Sequence, residues 1–412
     1  MKRIVITPPS KVRADITLPS SKSICNRALV INALAGGKTR IENLSDCDDT
    51  RVMVRALSEM PDTIDIGAAG TAMRFLTAYL SVNEGTRTLT GTERMLQRPI
   101  GILAEALRTM GADVEYIGRE GYPPLRITGH TLTNGEISLP GNVSSQYISA
   151  LLMIGPALKN GLKLTLTGDI VSHPYIDLTL QLMRAFGAKA GWTSENQLTV
   201  EPHPYEAPSS YDVESDWSAA SYWYEICALM PEAEIELPRL YRESPQGDSK
   251  AAHLFASLGV ETRYEAGRAI LRKCGTPVSR MEYDFIDQPD LAQTFVVTCA
   301  FLGIPFRFDG LQSLKIKETD RMAALITEMR KLGYVLTETD GRILSWDGTR
   351  CAPDPHPCID TYEDHRMALA FAPACIPLGE LPVNNPHVVS KSYPHYWDDL
   401  CQAGFGIREE EA

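Results

Sequence analysis

Apolar residues recur at helical spacing through residues 314–333. Met322, Leu325, Ile326 and Met329 occupy i, i+3, i+4 and i+7, one face of an amphipathic helix, and Gly333 stands where a left-handed C-terminal cap belongs. Arg330 and Lys331 suit the negative helix end. The same ending, a large apolar residue and then glycine before a strand-like stretch, returns along the chain. It occurs at Gly111 (LRTMG), Gly187 (MRAFG), Gly259 (FASLG), Gly333 (MRKLG) and, more weakly, Gly404 (LCQAGFG). The spacings are 76, 72, 74 and 71 residues. Residues 260–273 and 334–346 each alternate around a turn glycine and predict a pair of strands.

A mixed α and β unit of about 70 residues exceeds the usual solenoid periods, so the pattern predicts repeated compact subdomains, five or six of them. The first copy is short: RALSEMP ends at Pro61, only 50 residues before Gly111, and a strand pair is missing there. The polar, proline-rich stretch 201–212 is the best linker candidate and divides the repeats three and three.

Composition narrows the class. At 412 residues, 44% hydrophobic and 22% charged, the chain has ordinary globular composition and room for two or three domains. No run of 18 apolar residues occurs, and the start MKRIVITPPS lacks a hydrophobic signal region. Nine cysteines, an odd number without a CxxC pair, argue against a disulfide framework or zinc site and for the cytoplasm. A net charge of −12 argues against a general nucleic-acid surface.

Charged and hydroxyl groups gather at several predicted helix starts. Lys317, Glu318, Asp320 and Arg321 lie just ahead of the amphipathic face, where a helix N-terminus can bind an anion; they read equally as a solvated helix start. In PSSKSICNRAL (19–29), Lys22 and Ser23 precede a helix carrying Arg27, an arrangement suited to anions or simply to serine capping. The nearby GGKT (36–39) is no P-loop, because Asn32 holds the first glycine position. In AAGTAMRFL (68–76), Gly70 permits close backbone approach to a ligand, with Arg74 one turn on; tight packing at a helix entry is the competing reading. Arg98 precedes a proline-initiated helix. Ser144, Ser145 and Ser172 read as helix caps or together as a phosphate cradle, and Asp290 as a capping residue or general base. His365 beside Arg366, after Glu363 and Asp364, offers a titratable group next to an anion clamp. No HExxH spacing occurs, and Asp46, Asp48 and Asp49 lack the rest of a calcium loop, so no metal is expected.

Taken together, these motifs resemble those of the 5-enolpyruvylshikimate-3-phosphate synthase family of enolpyruvyl transferases. SKSxxNRAL (21–29), GTAMR (70–74), RPIG (98–101), SSQ (144–146), PYIDLT (174–179), KETDR (317–321) and DHRMA (364–368) follow in the family's order, nearly end to end. Three positions depart from its pattern: Ala68 and Ser313 where asparagine is common, and Phe75 where proline is common. The resemblance implies an α/β fold of two globular domains, each of three repeated βαβαββ-type subunits arranged as an inside-out α/β barrel, the first subunit shortened. The lobes would comprise residues 15–213 and residues 1–14 plus 214–412, with the active site in the cleft between them and domain closure on substrate.

The implied reaction moves the carboxyvinyl group of phosphoenolpyruvate to the 5-hydroxyl of shikimate 3-phosphate and releases phosphate, in the shikimate pathway to chorismate and aromatic amino acids. The implied protein is a cytoplasmic monomer without cofactor, metal, nucleic acid or membrane partner. By resemblance, Lys22, Ser23, Arg27, Ser144, Ser145, Gln146, Ser172, Asp290, Ser313 and Lys317 would hold shikimate 3-phosphate. Lys22, Gly70, Arg98, Gln146, Arg321, Arg366 and Lys391 would hold phosphoenolpyruvate. Asp290 would act as base on the hydroxyl, Glu318 and Lys22 would share proton transfer at the alkene and leaving phosphate, and His365 completes the catalytic set. The alternatives are an enolpyruvyl transferase acting on UDP-N-acetylglucosamine and a non-catalytic binding module of the same fold.

Overall fold

The computed structural model of the chain describes residues 2–411. Its repeat is a strand, a helix, a second parallel strand, a second helix and an antiparallel strand pair. One copy runs through Thr63–Asp65, Gly70–Val82, Gly85–Thr90, Gly101–Thr109, Asp113–Tyr116 and Leu125–Gly129. The resulting sheet is ordered first, second, fourth, third. The next copy, from Glu136–Pro140 to Gln197–Val200, and the copy from Met281–Asp284 to Ile343–Trp346 repeat that order.

The other copies borrow strands from distant sequence. Val12–Asp15 lies parallel to Ala233–Pro238 and supplies the first strand of the copy that ends at Arg268–Lys273. Lys2–Thr7 pairs antiparallel with both Leu381–Asn384 and Gly406–Glu411, standing between them as the last strand of the C-terminal copy. Ser210–Asp212 pairs parallel with Arg40–Glu42 in a two-stranded sheet. That first copy lacks the antiparallel pair, as its short spacing predicts, because the helix Asp48–Glu59 leads directly to Thr63–Asp65.

The six sheets among the described residues are separate and open, in keeping with the expected fold of repeated α/β subunits. One expectation needs correction: the stretch 201–212 is not a linker throughout, since its last three residues are a paired strand. The chain divides into one compact unit of Ser20–Val213 and another of Met1–Pro19 with Glu214–Ala412. Residues 15–19 therefore group with the second unit, where Val12–Asp15 is held by its parallel partner.

The recurrent glycine ends the second helix of five copies; in the first, Met60 stands left-handed at the end of Asp48–Glu59 instead. After the helix Arg321–Lys331, Gly333 takes φ +88°, its N–H donates to Arg330 O, and the Tyr334 N–H donates to Met329 O, the paired bonds of a Schellman cap. Gly111, Gly187 and Gly404 are capped by the same pair of bonds. The first helices of the copies follow another rule. Gly70–Val82, Ser145–Ile154, Trp217–Leu229, Ala292–Phe301 and His365–Phe371 are buried almost throughout. Small and apolar residues all around them allow this, and the hydroxyls they carry bond back to the preceding turn, as with Thr77 to Met73 O at 2.6 Å and Thr298 to Thr294 O at 2.7 Å. No helix among the described residues is long and apolar enough to cross a membrane.

Candidate active site

The two units carry two clusters of charge, described separately. In the unit containing residues 214–412 the cluster is built from the starts of three helices. Asp290 lies in a short 3-10 turn, Pro289–Leu291, that runs into the buried helix Ala292–Phe301. Phe295 one turn on packs against Phe255 and Phe285, with ring centroids 4.5 and 5.5 Å away, which anchors the turn from below. Arg321 opens the helix Arg321–Lys331, and Asp320 caps it, accepting from the Ala323 N–H at 3.1 Å. Asp364 caps the helix His365–Phe371 through the Arg366 N–H at 2.9 Å.

The side chains then interlock. The Arg321 guanidinium donates to Asp364 (Nε to Oδ2 2.7 Å, Nη2 to Oδ1 3.2 Å), to Asp290 Oδ1 (3.1 Å) and to Glu318 Oε2 (2.8 Å). Arg366 Nη2 donates to Asp290 Oδ2 at 2.8 Å, and Lys317 Nζ stands 3.7 Å from Asp290 Oδ1. Lys391 Nζ lies 2.8 Å from Glu318 Oε1. Asp290 thus faces three cations and Glu318 two. Burial opposes the charge on Arg321, but Asp364, Glu318 and Asp290 outweigh it, and its pKa rises above the usual arginine value. Burial lowers the Lys317 pKa; Asp290 pulls against that, while Arg321 reinforces it.

A further carboxyl stands behind this cluster. Asp248 is buried and accepts from the Ser218 hydroxyl, whose oxygen is 3.4 Å from Arg366 Nη2. Burial first, and then the charge of Asp290, push the Asp248 pKa up to about 7 against the pull of Arg366.

In the unit of residues 20–213, Lys22 begins the helix Lys22–Leu34 and its Nζ lies 3.4 Å from Asp49 Oδ2, in the first turn of Asp48–Glu59. Arg27 is buried and donates to Thr179 Oγ1 (2.7 Å), Ser149 Oγ (3.1 Å) and Ser23 O (2.9 Å), tying three helices together. Burial lowers its pKa to about 10. Gly70 opens Gly70–Val82 with the Arg74 and Arg98 guanidiniums against it: a Cβ built there would lie 2.6 Å from Nη1 of each. Gln146 Nε2 donates to Thr71 Oγ1 at 3.0 Å, and the Tyr147 hydroxyl donates to Pro99 O at 2.7 Å, which ties the Arg98 loop to the helix Ser145–Ile154.

The sequence-derived residues fall unevenly. Asp290, Lys317, Glu318, Arg321, Arg366 and Lys391 converge on one network. His365 is buried beside it, with Nδ1 3.6 Å from Asp364 Oδ1. Ser313 lies half-buried in the turn Gln312–Ile316, and among the described residues no side-chain hydrogen bond joins it to the network. Ser144 caps its helix, accepting from the Gln146 N–H at 3.4 Å; Ser145 is the buried first residue of that helix. Ser172 sits ahead of the helix His173–Ala185 at φ +55°, and its hydroxyl does not cap that helix. Arg98 precedes a helix that starts at Gly101, not at Pro99. Sequence reasoning missed Asp364, Asp49, Asp248, Ser218 and Thr71. Asp364 alone carried a signal, its place directly before His365 and Arg366.

Comparison with known proteins decides the family. The model of EPSP synthase (3-phosphoshikimate 1-carboxyvinyltransferase) matches residues 6–64 and 58–400. The chain belongs to the EPSP synthase family. It is 63% identical over 409 residues to the 3-phosphoshikimate 1-carboxyvinyltransferase of Bacteroides fragilis, covering 99% of this chain and 100% of that one. Its identity to the protein of the same name from Photobacterium profundum is 35% over 429 residues, covering 98% and 99%. Two solved structures share the fold: EPSP synthase from Acinetobacter baumannii (TM-score 0.79, 22% identical, all of both chains) and the enolpyruvyl transferase NikO from Streptomyces tendae (TM-score 0.73, 16% identical, 100% and 99%). The family's two-domain α/β architecture accounts for the repeated subunit and its interior helices.

Proposed function

We propose that the chain transfers the carboxyvinyl group of phosphoenolpyruvate to the 5-hydroxyl of shikimate 3-phosphate and releases phosphate. The observation that carries this reading is Asp290 held by Arg321, Arg366 and Lys317, next to Glu318 held by Arg321 and Lys391. Two carboxylates embedded in four cations suit a reaction between two polyanions that needs protons moved at a hydroxyl and an alkene carbon. The near-full-length match to enzymes named for this activity supports the same assignment.

The chemistry follows from competition for the cations. Substrate phosphate and carboxylate groups draw Arg366, Lys317 and Lys391 away from the two carboxylates, so each gains proton affinity when its work begins. Asp290 takes the proton of the attacking hydroxyl. Glu318 serves the alkene carbon, sharing proton transfer with Lys22, which also neutralises the leaving phosphate; His365 supports this set from its buried position. Arg321 and Arg366, with Lys391, bind phosphoenolpyruvate together with Lys22, Gly70, Arg98 and Gln146. Lys22, Ser23, Arg27, Ser144, Ser145, Gln146, Ser172, Asp290, Ser313 and Lys317 hold shikimate 3-phosphate. The enzyme is a cytoplasmic monomer in this reading.

The test is phosphate release with each substrate alone, with both, and with UDP-N-acetylglucosamine in place of shikimate 3-phosphate. Release that requires both phosphoenolpyruvate and shikimate 3-phosphate is expected. Equal release with the nucleotide sugar, or none with any acceptor, refutes the assignment.

A further inference from the structure

The segment that delivers Asp364 and Arg366 is a strained turn. Tyr362 and Glu363 both have positive φ, +53° and +55°, and the Asp364 N–H donates to Thr361 O at 2.8 Å. Consecutive left-handed central residues closed by this bond have the handedness of a type I′ turn, which favours asparagine and glycine. Tyrosine followed by glutamate is a costly choice for it, so other contacts must hold it in place.

One buried residue supplies two of those contacts. Glu328 is fully buried on the helix Arg321–Lys331; it accepts from the Tyr362 hydroxyl at 2.5 Å and from the Asp360 N–H at 3.1 Å, and it pairs with Lys331 at 2.8 Å. Glu328 stands seven residues, about two helical turns, after Arg321, so the two share a helix face. That helix therefore grips the segment 360–364 with three residues: Glu328 and Lys331 at its start and Arg321 at Asp364.

We infer that Tyr362 and Glu328 are positioning residues: their contact holds the turn so that the Asp364 carboxylate keeps the Arg321 guanidinium oriented toward its ligand. The inference rests on the reading of Arg321 as part of the phosphoenolpyruvate site. Glu363 is exposed, and the hydrogen bond its side chain accepts from Asn385 Nδ2 is long at 3.4 Å. A glycine there would let the turn form without help.

The test is a rescue. Tyr362→Phe keeps the ring and removes the donor; it should raise the KM for phosphoenolpyruvate roughly tenfold, the scale of one hydrogen bond to a carboxylate, and leave that for shikimate 3-phosphate nearly unchanged. Adding Glu363→Gly should return the KM toward the wild-type value, which a loss of packing alone would not allow. In parallel, the Arg321 Nε–H resonance of ¹⁵N-labelled protein should shift in Tyr362→Phe and recover in the double variant. An unmoved resonance, or a double variant no better than the single, overturns the inference. If the wild type fails to turn over while the resonance shifts and recovers, the positioning stands and the assigned reaction falls.

Discussion

Arg321 grips Asp364 through two nitrogens, 2.7 and 3.2 Å from the carboxylate oxygens, and the two side chains are 2% and 0% exposed. Such a pair is expensive to form, because both charges leave water, and more expensive to halve, because the survivor keeps its charge without its partner. Asp364→Ala should therefore lose about 3–5 kcal/mol for the broken pair, with about 1 kcal/mol more for the helix cap on Arg366. Urea unfolding measures it. A loss below about 1 kcal/mol would mean that Arg321 finds a new partner at no cost.

Glu318 has a different task in the same network, since it bridges Arg321 and Lys391 at 2.8 Å each and is partly accessible. Glu318→Gln retains size and one accepting oxygen but cannot exchange a proton. It should lower kcat about 100-fold or more, with a much smaller change in either KM. Steady-state phosphate release gives both numbers; a wild-type kcat in the variant would remove Glu318 from the proton-transfer step.

The contrast between these carboxylates marks what the sequence conveys. Gly333 and its counterparts were legible because a capping glycine after an apolar helix face is a local pattern, and its spacing carried the repeat. The short first copy was legible for the same reason. The strands Lys2–Thr7 and Val12–Asp15 were not legible from pattern alone, since their partners lie hundreds of residues away. The cations of the site stood out at helix starts, as did Asp290 and Glu318, but the other carboxylates did not. Asp49, which faces Lys22, was hidden in an acidic cluster that resembled a failed calcium loop, and Asp248 is joined to Arg366 by hydrogen bonds through Ser218. Pair identity in such a network is set by tertiary contact, which leaves no periodic trace.

Asp248 makes a pH prediction. Its carboxyl titrates near 7 in the folded state against about 3.9 in the unfolded chain, so between those values the folded protein holds a proton that the unfolded chain has lost. Its contribution to stability is complete below about 3.9 and declines as pH rises toward 7, by up to about 1.4 kcal/mol per pH unit. Asp248→Asn carries no such proton. Unfolding free energies at pH 5 and pH 7.5 should show the wild type losing about 2–3 kcal/mol relative to this variant. Parallel pH profiles would show that Asp248 titrates as it does in the unfolded chain.

Gly70 separates function from stability most cleanly. A methyl group there would meet Nη1 of Arg74 and of Arg98 at 2.6 Å, too close for either to stay. Both atoms are the far ends of flexible side chains, so the guanidiniums can swing aside without moving backbone. Alanine is also the better helix former by about 1 kcal/mol, and Gly70 is the first residue of its helix. Gly70→Ala should therefore melt within a few degrees of the wild type. The displaced cations no longer converge on the helix start, where free N–H groups and positive charge together favour an anion. The KM for phosphoenolpyruvate should rise roughly tenfold or more, the scale of one lost charge-assisted contact, while that for shikimate 3-phosphate changes little. Calorimetry and initial rates decide it together: an unchanged phosphoenolpyruvate KM would show that neither Arg74 nor Arg98 touches that substrate, and a large drop in melting temperature would show that the glycine serves packing.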